Sequence, residues 1–151
     1  MATILQQINN LKKLKSSLVV EKVFQALKEA ENKVIVYNRN QLSKGQDVDG
    51  KEVGKYSEHT QTFATRDGIL TDKPYNNPYN FNWTGEFLKG FEISVTNKDA
   101  TIFSTGIGSG EKASFLLSEN LFGLNEENLK KVIKEDILPF IQKYAKSVLQ
   151  I

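Results

Sequence analysis

The chain has 151 residues, of which 39% are hydrophobic, 25% charged and 10% aromatic, the balance of one soluble globular domain over 1–151 rather than of a disordered segment. It has no cysteine, which excludes a disulfide framework and thiolate metal centres, and only one histidine, His59. A net charge of +2 is too small for a dedicated nucleic-acid binder, and no apolar run approaches the roughly 18 residues that cross a bilayer.

At the N-terminus, Gln6, Gln7, Asn9 and Asn10 interrupt the apolar residues, so no signal-peptide core is expected and synthesis in the cytoplasm is. Ile4, Leu5, Ile8 and Leu11 recur at helical spacing. Ser16–Ser17 offers a cap for a second segment, in which Val20, Val23, Phe24, Leu27, Ala30, Val34 and Tyr37 trace one stripe. No glycine or proline appears before Gly45, so the spacing predicts one helix from Leu18 to Ser43, about 39 Å long. That exceeds what a domain of this size needs, so part of it is expected to pack on another molecule.

Residues 45–69 read as irregular, with a turn at Asp47-Val48-Asp49-Gly50. Residues 74–83 hold four aromatics, four asparagines and two prolines, a composition that forbids a regular helix and predicts an extended arm or loop. Phe91 to Val95 alternates as a half-buried strand, Asn97-Lys98-Asp99 turns, and Ala100 to Thr105 returns as the second strand of a hairpin. Gly106, Gly108 and Gly110 open a loop, and 112–119 suits a short helix. Asn125 then caps a C-terminal helix carrying Leu129, Val132, Ile133, Ile137, Phe140, Ile141, Tyr144 and Val148, with Pro139 placed to kink it. The expected class is α+β: a long N-terminal helix (within 1–44) and a C-terminal helix (within 111–151) packed on a small antiparallel sheet with extended loops (45–110).

Charge is uneven along this order. Residues 1–45 carry eight Lys/Arg against three acids, residues 46–110 six against nine, and the remainder six against six. One copy's basic front is thereby matched to another's acidic centre, although a solvated lysine-rich helix face accounts for the same counts.

Candidate chemistry is sparse. His59 beside Glu58, with Asp47, Asp49 and Glu52 nearby in sequence, offers an acid–base pair of the kind used by small hydrolases of glycans or cell wall. No nucleophile motif accompanies it. Asp47-x-Asp49-Gly50 departs from a calcium loop because Lys51 stands at an oxygen-ligand position. Gly106 to Lys112 lacks the hydroxyl residue after lysine that a phosphate loop needs. No catalytic residue, cofactor or metal ligand is therefore expected. Tyr75, Tyr79, Phe81 and Trp83 read instead as subunit-interface anchors, with Trp83 seated at the sheet and Tyr75 and Tyr79 exposed in an isolated subunit.

Four stretches in order carry a resemblance: Tyr37-Asn38-Arg39-Asn40-Gln41-Leu42; Gly45 through Asp49-Gly50, Gly54 and Lys55-Tyr56-Ser57; Trp83-Thr84-Gly85-Glu86-Phe87 through Phe91; and Leu121-Phe122-Gly123-Leu124-Asn125. From Tyr37 to Asn128 the chain resembles virion-morphogenesis proteins of tailed bacteriophages and prophages, of the neck or tail-completion type. The resemblance implies a structural virion protein without catalytic residues. It would join a homo-oligomeric ring at the head–tail junction, beside neck, connector or tail proteins. Contact with packaged DNA would be non-specific at most, and no membrane would be involved.

Overall fold

The apolar stripe of the first third does form helix, in three pieces: α1 (Ile4–Leu11), α2 (Ser16–Glu29) and α3 (Glu31–Ser43). The computed structural model describes residues 4–68, 73–106 and 119–150. Lys15 takes the extended cap position of α2, so Ser16 lies inside its first turn. The single long helix expected over 18–43 is broken at Ala30, where φ −89° and ψ 5° leave the helical region. Alanine is the best helix former, so the break is tertiary in origin. Ala30 is buried, and the halves on either side of it follow different partners: α2 lies mainly along the C-terminal helix, whereas α3 meets the first strand and the start of that helix.

That C-terminal rod has α6 (Glu126–Val132), a five-residue π turn (Ile133–Ile137) and α7 (Leu138–Leu149). Asn125 caps it as expected, its side-chain oxygen accepting the Asn128 amide at 3.0 Å. Pro139 has no N–H to offer the carbonyl four residues back and its ring crowds that turn, and the widened π turn directly before it takes up the misfit. Lys33 of α3 reaches the π turn, with its Nζ 2.7 Å from Glu135 and 2.8 Å from Asp136. Those two hydrogen bonds, Asp136 foremost, raise the Lys33 pKa well above the ordinary lysine value.

The hairpin has the expected bounds: β1 (Phe91–Val95) pairs antiparallel with β2 (Ala100–Ser104), Phe91 opposite Ser104 and Ile93 opposite Ile102. Among the described residues these two strands make the sheet, and the architecture is α+β. The terminal helices do not both rest on it. α3 and α2 touch β1, and α5 (Glu86–Lys89) touches β2, but α7 packs on α2 and α1. A two-stranded sheet is too narrow to hold both terminal helices. The loop at Gly108 and Gly110 and most of the short helix expected over 112–119 lie outside the described residues.

Residues 45–69 are less irregular than their composition predicts, because α4 (Glu58–Arg66) forms there. Its only large apolar residue is Phe63, so no periodicity marks it. A glutamate in its first turn and an arginine in its last suit the helix dipole. The turn at Asp47 is as read: its side-chain oxygen accepts the Asp49 and Lys51 amides at 2.9 and 2.8 Å.

Two buried amides on α3 tie these parts together. Asn38 donates to the Leu121 carbonyl at 3.0 Å and accepts from the Gly123 amide at 3.3 Å. Gln41 donates to the Asp47 carbonyl at 2.8 Å and accepts from the Asn125 amide at 2.8 Å. Beside them lies the core, Leu42, Phe81, Phe87, Phe91 and Leu121. Removing the Gln41 amide strands a carbonyl and an N–H away from water, each costing about 1–3 kcal/mol. Gln41→Ala should therefore destabilise the fold by about 2–4 kcal/mol, whereas Asn40→Ala, exposed on the same helix, should change it little; urea midpoints of the two variants check this.

Candidate functional site

The aromatic tract is the natural place to look for function, and local chemistry explains its path. Two prolines and four asparagines deny residues 74–83 a helix, and the chain instead lies against the 45–56 loop. Backbone bonds join them: Tyr56 N–H to the Asn77 carbonyl at 2.9 Å, Asn76 N–H to the Tyr56 carbonyl at 3.0 Å, and Tyr79 N–H to the Gly54 carbonyl at 2.9 Å. The approach needs glycine on the loop side. A Cβ on Gly54 would stand 2.6 Å from the Tyr79 ring, and one on Gly45, already at φ +75°, 2.7 Å from Pro78.

The four rings of the tract have different surroundings. Phe81 is buried in the core at a positive φ of 53°, and Tyr79 packs half-buried against that core. Their ring centroids form a chain from Tyr56 through Tyr79 at 5.0 Å to Phe81 at 6.2 Å and Phe87 at 6.0 Å, mostly edge to face. Trp83 is half-buried. Only Tyr75 stands out, at 62% exposure. The expectation that both Tyr75 and Tyr79 project from an isolated subunit thus holds for Tyr75 alone. The glycines at 45 and 54 let the tract come close enough to bury the rest.

At the root of the tract sits a residue the sequence does not single out. Lys73 is 1% exposed, the largest fully buried side chain among the described residues. Its Nζ meets three oxygens: the Asn80 side chain at 2.5 Å, the Asn82 carbonyl at 2.7 Å and the Tyr56 hydroxyl at 3.2 Å. The Tyr56 ring lies 5.2 Å away and the Trp83 ring 6.0 Å. Three acceptors match the three protons of an ammonium, and two π faces favour the charge. Burial still pushes the Lys73 pKa below the ordinary lysine value, and burial raises that of Tyr56. The cluster clasps the tract to the loop. Its amine is enclosed by these groups and is not presented to solvent.

The residues considered for acid–base work are placed apart from this clasp. Glu58 and His59 are exposed on the first turn of α4. Asp49 pairs with Lys51 at 3.1 Å and Glu52 with Lys55 at 3.8 Å, while the Asp47 carboxylate is engaged in its turn. A surface depression of about 290 Å³ lies between Ser43, Lys44, Tyr56 and residues 74–80, and another of about 390 Å³ between α2 and the hairpin turn. Neither is lined by any of those acids or by His59. Among the described residues no three His, Asp or Glu side chains gather as a metal ligand set, and no helix is long and apolar enough to cross a membrane.

Compared with protein-family models, curated proteins and solved structures, the chain matches none. Its chemistry therefore has to be read from its own surfaces.

One surface was hidden in the sequence by its own regularity. The apolar spacing of α1 predicts a buried stripe, yet Leu5, Ile8 and Leu11 are 68, 45 and 54% exposed. Among the described side chains of α1 the buried one is polar, Asn10, whose side-chain oxygen accepts from Lys13 at 3.0 Å. Periodicity reports that a helix has an apolar side, but not whether its own fold covers it.

The Lys73 clasp carries a pH signature. Between its depressed folded pKa and the ordinary 10.5, the unfolded chain holds a proton that the folded chain has released, so stability rises with pH across that window. Tyr56 acts oppositely. Its folded pKa is raised above the ordinary 10.0, so the unfolded chain ionises first and stability falls as pH passes that value. Urea midpoints followed into the alkaline range should climb and then drop. Lys73→Met should abolish the climb and keep the drop.

Proposed function

We propose that this chain is a non-enzymatic assembly subunit that acts by binding copies of itself and neighbouring proteins, as a structural virion protein in the neck or tail-completion ring of a tailed bacteriophage or prophage. The observation that carries the reading is how the four stretches behind the resemblance are used. Asn38 and Gln41 of the first hold Asp47 of the second and Leu121, Gly123 and Asn125 of the fourth. Phe87 and Phe91 of the third stack on Phe122 of the fourth at 6.1 and 5.5 Å. Residues that lie more than 80 positions apart are spent on fixing one scaffold, and the apolar side chains left exposed outside it, among them Tyr75, Phe63 and Leu5, Ile8 and Leu11 of α1, are the natural contacts.

In this reading the work is done by complementarity. Each exposed ring or aliphatic side chain contributes about 1.5–3 kcal/mol when a neighbour covers it, and closed symmetry multiplies contacts too weak to act singly. The protein would be found in the particle after synthesis in the host cytoplasm. A hydrolase using Glu58 and His59 would instead need a substrate cleft at the start of α4.

Mass spectrometry of purified particles tests the assignment, and absence of the chain from them overturns it. Tyr75 gives a sharper handle. Tyr75→Ser should leave the melting temperature within about 2 °C of wild type, since the ring is mostly in water, while lowering incorporation into particles. Tyr79→Ser should instead lower the melting temperature, because that ring fills the notch at Gly54.

A further inference from the structure

We propose that α1 is a docking helix that inserts its apolar stripe against the acidic middle third of a second copy of this chain, in a head-to-tail contact. This deepens the assembly reading, on which it rests. The first observation is the packing of α1: Asn10 is buried, while Leu5, Ile8 and Leu11 are left exposed in one row, and Leu18 and Val20 at the start of α2 are exposed as well, at 38 and 49%. Three large apolar side chains in one row on a helix, left uncovered by their own fold, mark an interaction surface.

The second observation is charge, and it selects the occupant. Lys12, Lys13 and Lys15 follow the stripe directly, all exposed, and no acidic residue precedes Glu21. Two copies of this front would repel each other, which disfavours a symmetric α1–α1 pair. The part of the chain with the opposite sign is 46–110, six bases against nine acids. Within it α4 offers an apolar ring, Phe63 at 48% exposure, and at its first turn the exposed Glu58, which makes no ion pair among the described residues. Arg66 stacks over Phe63 at 5.1 Å, but its charge is taken up by Asp67 at 3.0 Å. Front and centre lie on one chain as two different patches, so the contact is heterologous and repeats from copy to copy until it closes. A patch this small gives a weak single contact, which steepens with concentration and loosens with salt.

The test uses the full chain in sedimentation velocity over a concentration series. Wild type should self-associate, and less so as salt rises. Leu5→Gln/Ile8→Gln/Leu11→Gln and, separately, Phe63→Ser should each be monomeric with unchanged circular dichroism, since every altered side chain is exposed. Mixing the two variants should restore a one-to-one pair, because each supplies the patch the other lacks. The proposal is overturned if wild type remains monomeric throughout, if either variant associates like wild type, or if the mixture forms no pair. It is equally overturned if α1 binds vesicles carrying anionic phospholipid while the protein stays monomeric. Incorporation into particles separates the two readings. A self-associating wild type that is absent from particles removes the virion role and leaves this contact standing. Normal incorporation of the helix variant alongside an intact wild-type monomer removes the contact and leaves the virion role.

Discussion

The two carboxamides on α3 are the constraint on which the rest of the structure depends. A chain with a two-stranded sheet has little backbone ladder to align its parts, so distant loops need other fixings. Asn38 and Gln41 are 0 and 2% exposed and satisfy backbone groups of the 47 turn and the 121–125 segment. In a setting of low dielectric each such bond is strong, and each broken one is costly, so the amides fix register as well as adding stability. Arg39, between them in sequence, extends the same service to the start of β1 through the carbonyls of Lys89 and Phe91 at 2.9 and 3.3 Å.

Once those loops are held, the aromatic core follows. Leu42 sits one residue beyond Gln41, and the rings of Phe81, Phe87, Phe91 and Phe122 close around it and Leu121. The rings come from three separate loop-rich stretches, and none of those stretches could bury them without the α3 anchor. The buried ammonium of Lys73 has a similar role on a smaller scale. It replaces secondary structure with a point at which Tyr56, Asn80 and Asn82 must converge.

Much of the fold was legible where pattern and chemistry act locally. The hairpin could be read from the alternation of Phe91 to Val95 and the Asn97-Lys98-Asp99 turn, and the cap at Asn125 from its own side chain. What could not be read was decided at a distance. Ala30 carries no breaking signal, and the helix parts there because its halves have different partners. α4 has too few apolar residues to show a period. Asn38 and Gln41 did leave a trace, since they continue the helical face of Val34 at spacings of four and seven, where apolar residues would be expected. Lys73 left none: its burial depends on glycines at 45 and 54 that let another segment approach. For the candidate surface, sequence marked the aromatics of 74–83 but not which of them the fold would keep for itself.

The interruption at Ala30 and the π turn at 133–137 fall at the same level, with Lys33 spanning from one to the other through Glu135 and Asp136. Two neighbouring rods are thus both irregular at one height. About this level α1 and α2 pack along α7, α3 meets α6 and the hairpin, and α2 touches the hairpin as well. The interruption keeps regular helical bonds, from the Ala30 N–H to the Ala26 carbonyl at 3.0 Å and from the Val34 N–H to the Ala30 carbonyl at 3.1 Å, so the backbone leaves helical dihedrals there without giving these up. This level is therefore pinned rather than loose: the Lys33 ammonium ties the widened turn to α3 where both rods depart from regular helix.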